Sequence, residues 1–447
     1  MIGKLKKESQ LNMFKILLSQ LVNEGHELCI LSSTIDWEGL ERDLKPYYSE
    51  NGRPAIPVRK MVGMVFLKRM FNLSDENTVA RWIENPYWQF FTGEQYFQTS
   101  QPFDPSEFVH FRNRMGAQGM ETIFGYTVKI HDGANMEKEV QIDSTVQPKN
   151  ITFPTDAKLA KRIIDKCINI SKSEGVSIRR SYKREVKQLM KDQYNSKHPS
   201  RAKKGRKAIK RLKTICGRLL RELRRKLPAD KLEAEYEQEL SMYEQVLSQT
   251  RYSKNKIYSL HEPQTACIAK GKAHKRYEFG SKVTIVKGGK TGVILGVHTT
   301  KGNPHDSKLL QPTIDQLEKV MQNIDGMLPQ VAITDRGYRG VQEVKGVQIL
   351  IPKKGKKNQS KYEKQKARKR FRARAGIEPI IGHIKHDHRM IRNFLKGEVG
   401  DVTNAIAACM GFNLKKKLNQ IASYLFFKFV ELPFMILHEY LQKEVKV

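Results

Sequence analysis

The chain has 447 residues, with 81 Lys or Arg against 47 Asp or Glu, a formal net charge of +34. That length suggests about two to four folding units, and 39% hydrophobic residues at a mean hydropathy of −0.57 leave room for a core beneath a heavily charged surface. Cys29, Cys167, Cys216, Cys267 and Cys409 are scattered, odd in number and without CxxC spacing, which excludes a small disulfide-stapled module and fits a reducing cytoplasm. The segment Met1 to Phe14 shows no apolar signal core. The most apolar stretch, Leu425 to Leu441, contains Lys428, Glu431, Pro433, His438 and Glu439. It reads as a packed terminal helix pair, since a bilayer span needs about 20 largely apolar residues. A charge of this size calls for a polyanionic partner. Nucleic acid is the default, because each Lys or Arg placed on a phosphate releases condensed counterions; a merely basic soluble protein, or one held on a ribosome or membrane surface, shares the trait.

In chain order, the first 135 residues read as helical. Pro57 opens a run in which Val58, Met61, Val62 and Val65 recur at helical spacing. Ser74 or Asp75 caps a second helix carrying Val79, Trp82 and Ile83, stopped at Asn85-Pro86. A third starts at Ser106, with Phe108 and Phe111 inward and Arg112 and Arg114 outward. Three short helices with basic residues suit DNA contact in the manner of a helix-turn-helix, or a bundle joining subunits. Trp82, Trp88 and Phe90 read as core.

Glu139 to Thr145 is a short strand pattern that delivers Asp143. From Lys158 to about Leu260 the chain is helical and densely basic, and apolar residues such as Ile209, Leu212, Ile215, Leu219 and Leu223 predict a hairpin or small bundle rather than disorder. Lys282–Lys287 and Gly292–His298 flank Gly288-Gly289 as a β-hairpin. Gly289-Lys290-Thr291 is not a phosphate loop, because Thr284 stands where that motif needs its first glycine. Lys270, Lys272 and Arg276, just before the hairpin, suit DNA contact or an exposed edge. A helix over His305 to Gln322, with Asp306 as its cap, leads to the strand Val331–Thr334, which delivers Asp335. Another strand covers Val347–Ile351, followed by a basic loop to Arg370, a helix from Glu378 to about Arg392, and an amphipathic helix over Thr403–Lys417. Without the basic helical block, the order is that of a mixed sheet flanked by helices, interrupted after its first strand by a large insertion.

Asp143 and Asp335 thus stand at strand ends, where α/β sheets place ligands; either one alone reads equally as a turn cap. A carboxylate after a buried apolar run is costly unless paired or metal-bound. Glu378 and Lys385, two helical turns apart, share a face that Arg389 and Arg392 extend. Three carboxylates beside a basic stripe suit two Mg²⁺ ions with a phosphodiester backbone across them. His383, His386 and His388 lack Cys or acidic partners at zinc-binding spacing.

Three pieces, Gln141-Ile-Asp143-Ser-Thr-Val, Ile333-Thr-Asp335-Arg-Gly-Tyr-Arg and Arg374-Ala-Gly-Ile-Glu378-Pro-Ile-Ile-Gly-His-Ile-Lys385, resemble the acidic motifs of bacterial insertion-sequence DDE transposases, most closely the insertion sequence five-like group. Lys270 to His274, Tyr277 to Gly280, Gly302-Asn-Pro-His-Asp306, Asn404 to Leu414 and the helical stretch Tyr47 to Met115 support it, so the resemblance spans most of the chain outside about Lys158 to Leu260. It implies an RNase H-like α/β catalytic core in which Asp143, Asp335 and Glu378 bind Mg²⁺, with Mn²⁺ as a substitute. Arg374, Glu378 and Lys385 match a Tyr-x2-Arg-x3-Glu-x6-Lys signature, but Phe371 replaces its Tyr and removes a hydroxyl. Arg374 and Lys385 would hold phosphates of the element's ends, and Arg336, Arg389, Arg392 and Arg112 are further candidate DNA contacts.

The organisation expected is a helical DNA-binding or dimerisation region over 1–135, a catalytic core over 136–157 and 261–422, a basic helical insertion over 158–260 that contacts DNA or a second subunit, and a helical tail over 423–447. The function expected is metal-dependent cleavage and strand transfer at inverted-repeat ends by a homodimer or larger assembly on double-stranded DNA, in the bacterial cytoplasm and on the nucleoid. The rivals are a nuclease that cuts without joining and a non-catalytic repressor derived from a transposase.

Overall fold

The computed structural model describes residues 1–5, 15–196, 198–250, 252–269, 276–352 and 360–431. Lys270, Lys272 and His274 lie outside the described residues, as do the first part of the basic loop and the tail beyond residue 431. The chain divides into two compact units, one made of Met1–Pro148 with Ser281–Val447 and the other of Lys149–Gly280.

The first unit holds the sheet. Its strands are β1 (Glu139–Pro148), β3 (the part of Tyr277–Gly288 from Ser281 onward), β4 (Ile294–Thr300), β5 (Val331–Ile333), β6 (Glu343–Val344) and β7 (Val347–Leu350). They lie in the order β4-β3-β1-β5-β7-β6. β1 pairs with β5, and β5 with β7, in parallel; β3–β4 and β6–β7 are antiparallel. With β2 (Ala266–Ala269), which pairs with the start of β3 in the second unit, the sheet has seven strands. A mixed sheet with a central first strand, a hairpin on one side and parallel strands on the other is the RNase H-like α/β arrangement.

The hairpin forms as its glycines predict. Gly289 packs so close to β1 that a Cβ would meet the Glu139 carbonyl oxygen at 2.7 Å. The amides that a phosphate loop would offer are taken by Glu137, whose carboxylate accepts from Lys290 N at 3.1 Å and Thr291 N at 2.6 Å. β6 escaped the sequence pattern because it is two residues long. It is joined to β7 by Lys345-Gly346, both at positive φ (50° and 80°), the conformation of a tight hairpin turn.

The N-terminal helices share one continuous core with the sheet. Val58–Met70 is buried on all sides, including Lys68 and Arg69. Gly411 of the Gly397–Phe426 helix lets that helix approach so closely that a Cβ there would lie 2.8 Å from the Arg69 carbonyl oxygen. Ser74 is the cap of Asp75–Glu84, accepting from Asn77 N at 3.1 Å. Trp82 and Trp88 are buried. No helix among the described residues is long and apolar enough to cross a membrane.

The second unit is a helical bundle with its own core. Asp156–Ser173, Lys183–Gln193, Pro199–Lys226 and Glu237–Ser248 bury Ile163, Cys167, Leu212, Ile215, Leu219, Leu223, Leu240 and Tyr243 against one another.

Candidate active site

Alternation along β1 puts Glu139, Gln141 and Asp143 on one face. Each meets a cation. Arg370 Nε reaches Glu139 Oε2 at 3.2 Å, the buried Lys287 Nζ donates to Gln141 Oε1 at 2.8 Å, and Arg374 Nη1 reaches Asp143 Oδ2 at 3.4 Å. Arg370 and Arg374 stand one turn apart on the helix Lys361–Arg374. That helix corrects the expected loop to Arg370: Ser360 and Glu363 form a reciprocal cap that starts it nine residues earlier than the loop was to end.

Asp143 does not end its strand. β1 continues to Pro148, because Thr145, Val146 and Gln147 remain buried. What ends at this point is the neighbour: β5 stops at Ile333, which lies opposite Gln141. Each aspartate follows its paired residue by two, and the Asp335 charge is felt at the Asp143 carboxyl. Asp335 Oδ1 also accepts from Gly337 N at 2.8 Å, closing the turn after β5. Asp143 Oδ1 accepts from Ser144 N at 2.8 Å. Burial pushes the Asp143 carboxyl up; the Ser144 amide and Arg374 oppose this, and the charges of Asp335 and Glu378 add to it.

Glu378 sits in the first turn of the helix Ile377–Asp387, with Pro379 tolerated beside it, and its side chain is 67% exposed. Arg374 Nη2 lies 3.8 Å from Glu378 Oε1, so one guanidinium bridges Glu378 and Asp143. Phe371 precedes Arg374 by one turn on its helix. The helix expected to reach Arg392 ends at Asp387, and so the shared basic face stops at the half-buried Lys385. Arg389 lies beyond it at φ 66° and donates to Asn72 O at 3.2 Å, and Arg392 stacks over Phe394. Arg336 is exposed in the turn after Asp335. Arg112 is a correction: it points inward, 12% exposed, with Nη1 and Nη2 each 3.3 Å from Asp75, which also pairs with the buried Lys68. The Asp75 charge drew it in, and an outward DNA contact is lost. The three histidines diverge: His383 pairs with Asp387, while His388 is buried against the Arg69 carbonyl.

Asp306 was expected to cap a helix, but the His305 ring does so, and Asp306 instead accepts from Ser144 Oγ at 2.9 Å and pairs with Lys282 Nζ at 2.6 Å. A Cβ on Gly337 would lie 2.7 Å from Asp306 Oδ2 and 3.0 Å from Asp335 Oδ1, so this glycine lets the two carboxylates approach. Tyr338 is fully buried, and burial, then Asp306, push its pKa well up, against a contact from Ser144. The Gly302-to-Asp306 motif carried the signal; capping chemistry hid its use.

Hard carboxylate oxygens such as those of Asp143, Asp335 and Glu378, whose charges act on one another, are the donor type that suits a divalent cation. As placed, no three acidic, His or Cys side chains among the described residues converge tightly enough to hold one. Glu378 is exposed, with Arg374 at 3.8 Å.

The family described as "Transposase DDE domain" matches residues 250–414, which include Asp306, Asp335 and Glu378, and the family described as "Transposase domain (DUF772)" matches residues 16–114. Asp143 lies outside both spans. A Rhizobium meliloti protein, "Uncharacterized protein ORF8 in nfe locus", is 37% identical over 182 residues, 39% of this chain and 87% of that one. No solved structure matches. With the RNase H-like sheet, these matches show that the chain belongs to the bacterial insertion-sequence DDE transposases.

Proposed function

We propose that this transposase cleaves DNA at the inverted-repeat ends of its element and joins the freed 3′-hydroxyls to target DNA, with Asp143, Asp335 and Glu378 as its catalytic residues. The observation that supports the reading is the parallel β1–β5 pairing that ends at Gln141 and Ile333, two residues before Asp143 and Asp335, with Arg374 linking Asp143 to Glu378. Transposases of this kind act on DNA with divalent metal ions. Here the proposed cofactor is Mg²⁺, two ions held by the three carboxylates, with Mn²⁺ as a substitute. Bound metal would supply Lewis-acid activation of water or a 3′-hydroxyl and neutralise charge on the scissile phosphate.

The chain's own residues do the rest. Ser144 N and Gly337 N each hold Oδ1 of one aspartate, and Arg374 lies against Oδ2 of Asp143. Arg374 is placed to pass from the carboxylates to a phosphate as Glu378 turns in, keeping the charge balanced. Lys385, Arg336, Arg389 and Arg392 are the proposed backbone contacts around it. Two ends require two sites, so a homodimer or larger assembly on DNA is expected, working on the nucleoid in the cytoplasm.

A strand-transfer assay with labelled element ends tests this. Joined product that requires Mg²⁺ and all three carboxylates is the expected result. Cleavage without joining would leave a nuclease, and end binding without cleavage would leave a repressor.

A further inference from the structure

The second unit contains a cleft of about 920 Å³ lined almost wholly by arginines. On the helix Pro199–Lys226, Leu219, Leu220 and Leu223 point into the unit's core, while Arg218, Arg221 and Arg225 are exposed on the other side at spacings of three and four residues. They span about 10 Å along the helix, roughly three phosphate steps of one DNA strand. Arg179 joins them from the loop before Lys183–Gln193.

The acids around this cleft are already committed. Glu222 accepts from Arg179 N and from Lys226 Nζ, each at 2.8 Å. Glu237 and Glu244 are held by Arg224 at 2.6 and 3.0 Å. Glu185 is taken by Arg211 at 2.6 Å, which leaves Arg180 a loose contact at 3.8 Å. Arg179, Arg218, Arg221 and Arg225 therefore have no ion-pair partner among the described residues. The rim carries backbone strain as well: Tyr182, beneath the Arg180 guanidinium at 5.2 Å, is held at φ 55°. Arg218 and Arg225 act at longer range on Glu185 and Glu222, and Arg225 Nε donates to the Arg221 carbonyl at 3.3 Å, but the cleft lining still carries a large positive excess that an anionic backbone would neutralise.

We infer that this cleft is a second DNA site, distinct from the catalytic residues, which grips the phosphate backbone of duplex DNA without reading sequence. The inference rests on the reading that the chain acts on DNA, and it adds where the inserted unit takes hold.

The test uses the full chain and a random-sequence duplex, with affinity followed by fluorescence anisotropy from about 50 to about 200 mM salt. Replacing Arg179, Arg218, Arg221 and Arg225 together by Gln should flatten the slope of log affinity against log salt by about three to four, near 0.9 per lost phosphate contact. The four-Lys version of the same sites should keep most of the slope, which guards against a folding defect. Replacing four exposed lysines of the same unit, Lys172, Lys187, Lys203 and Lys207, by Gln should change it far less. An unchanged slope in the Arg→Gln protein, or an equal loss in the lysine control, overturns the inference. So does intact DNA affinity with an altered oligomer size in light scattering, which would make the cleft a subunit contact. A wild-type chain that binds no duplex would instead sink the proposed function, so the two failures are separable.

Discussion

Gln141 of β1 lies opposite Ile333 of β5, and Asp143 and Asp335 each follow that pair by two residues although 192 positions separate them along the chain (335 − 143). Parallel register cannot slip by one residue without turning a buried face outward, so the core fixes the strand positions from which both aspartates emerge. Asp143→Asn and Asp335→Asn keep shape and remove charge. Each should lower cleavage of a labelled element end by about 10³-fold or more, while end binding in a mobility shift changes little. A variant that still cuts at the wild-type rate would remove that aspartate from the chemistry.

Burial raises the Asp143 pKa, and the Ser144 amide and then Arg374 oppose that rise. The Arg374 guanidinium lies 3.4 Å from Asp143 and 3.8 Å from Glu378 and lowers the Asp143 pKa against burial. Arg374→Gln removes that help, so the Asp143 pKa should rise. If the reaction needs ionised Asp143, the acidic limb of the pH–rate profile should move to higher pH, and Arg374→Lys should restore part of the shift. A lower rate with the acidic limb in its wild-type place would confine Arg374 to DNA binding.

Much of the fold was legible because it is written locally. The β3–β4 hairpin shows in Gly288-Gly289 and two flanking apolar runs, and the bundle of the second unit shows in the spacing of Leu212, Ile215, Leu219 and Leu223. What was hidden depends on contacts distant in sequence. Arg112 reads as outward until Asp75 draws it into the core, and Asp306 reads as a cap until Lys282 and Ser144 draw it toward the aspartates. Asp143 looked like a strand end because its own neighbours say nothing of where β5 stops. The two-residue β6 is set by a turn and is too short to leave a periodic signal, and the helix Lys361–Arg374 buries no residue, so it has no apolar stripe to read.

Asp306 acts, on this geometry, through others. It ties Ser144, whose amide holds Asp143, to Lys282, and it touches the glycine whose amide holds Asp335. Loss of such an outer partner typically costs about 10–100-fold in metal affinity or activity. Asp306→Asn should raise the Mg²⁺ concentration needed for half-maximal cleavage within that range and leave the rate at saturating metal less affected, and Asp306→Glu should recover part of it. An unchanged metal titration with an unchanged melting temperature would leave Asp306 without a role.

His131 couples the helical region to the last long helix and makes stability depend on pH. Its Nε2 donates to the Asn413 carbonyl at 3.0 Å, and burial first, with Lys417 and Lys416 nearby, pushes its pKa down to about 4. In the unfolded chain it titrates near 6.5. Above that value the ring is neutral in both states and contributes no pH dependence. As the pH falls toward 4 the unfolded chain takes up the proton and the folded one does not, so stability is lost across that window, by about 3 kcal/mol at most. Urea unfolding at pH 7 and at pH 4.5 should show the loss, and His131→Gln should show a smaller one by comparison. Equal pH dependence in the two proteins would assign the acid sensitivity to other groups, His388 first among them, since burial lowers its pKa as well.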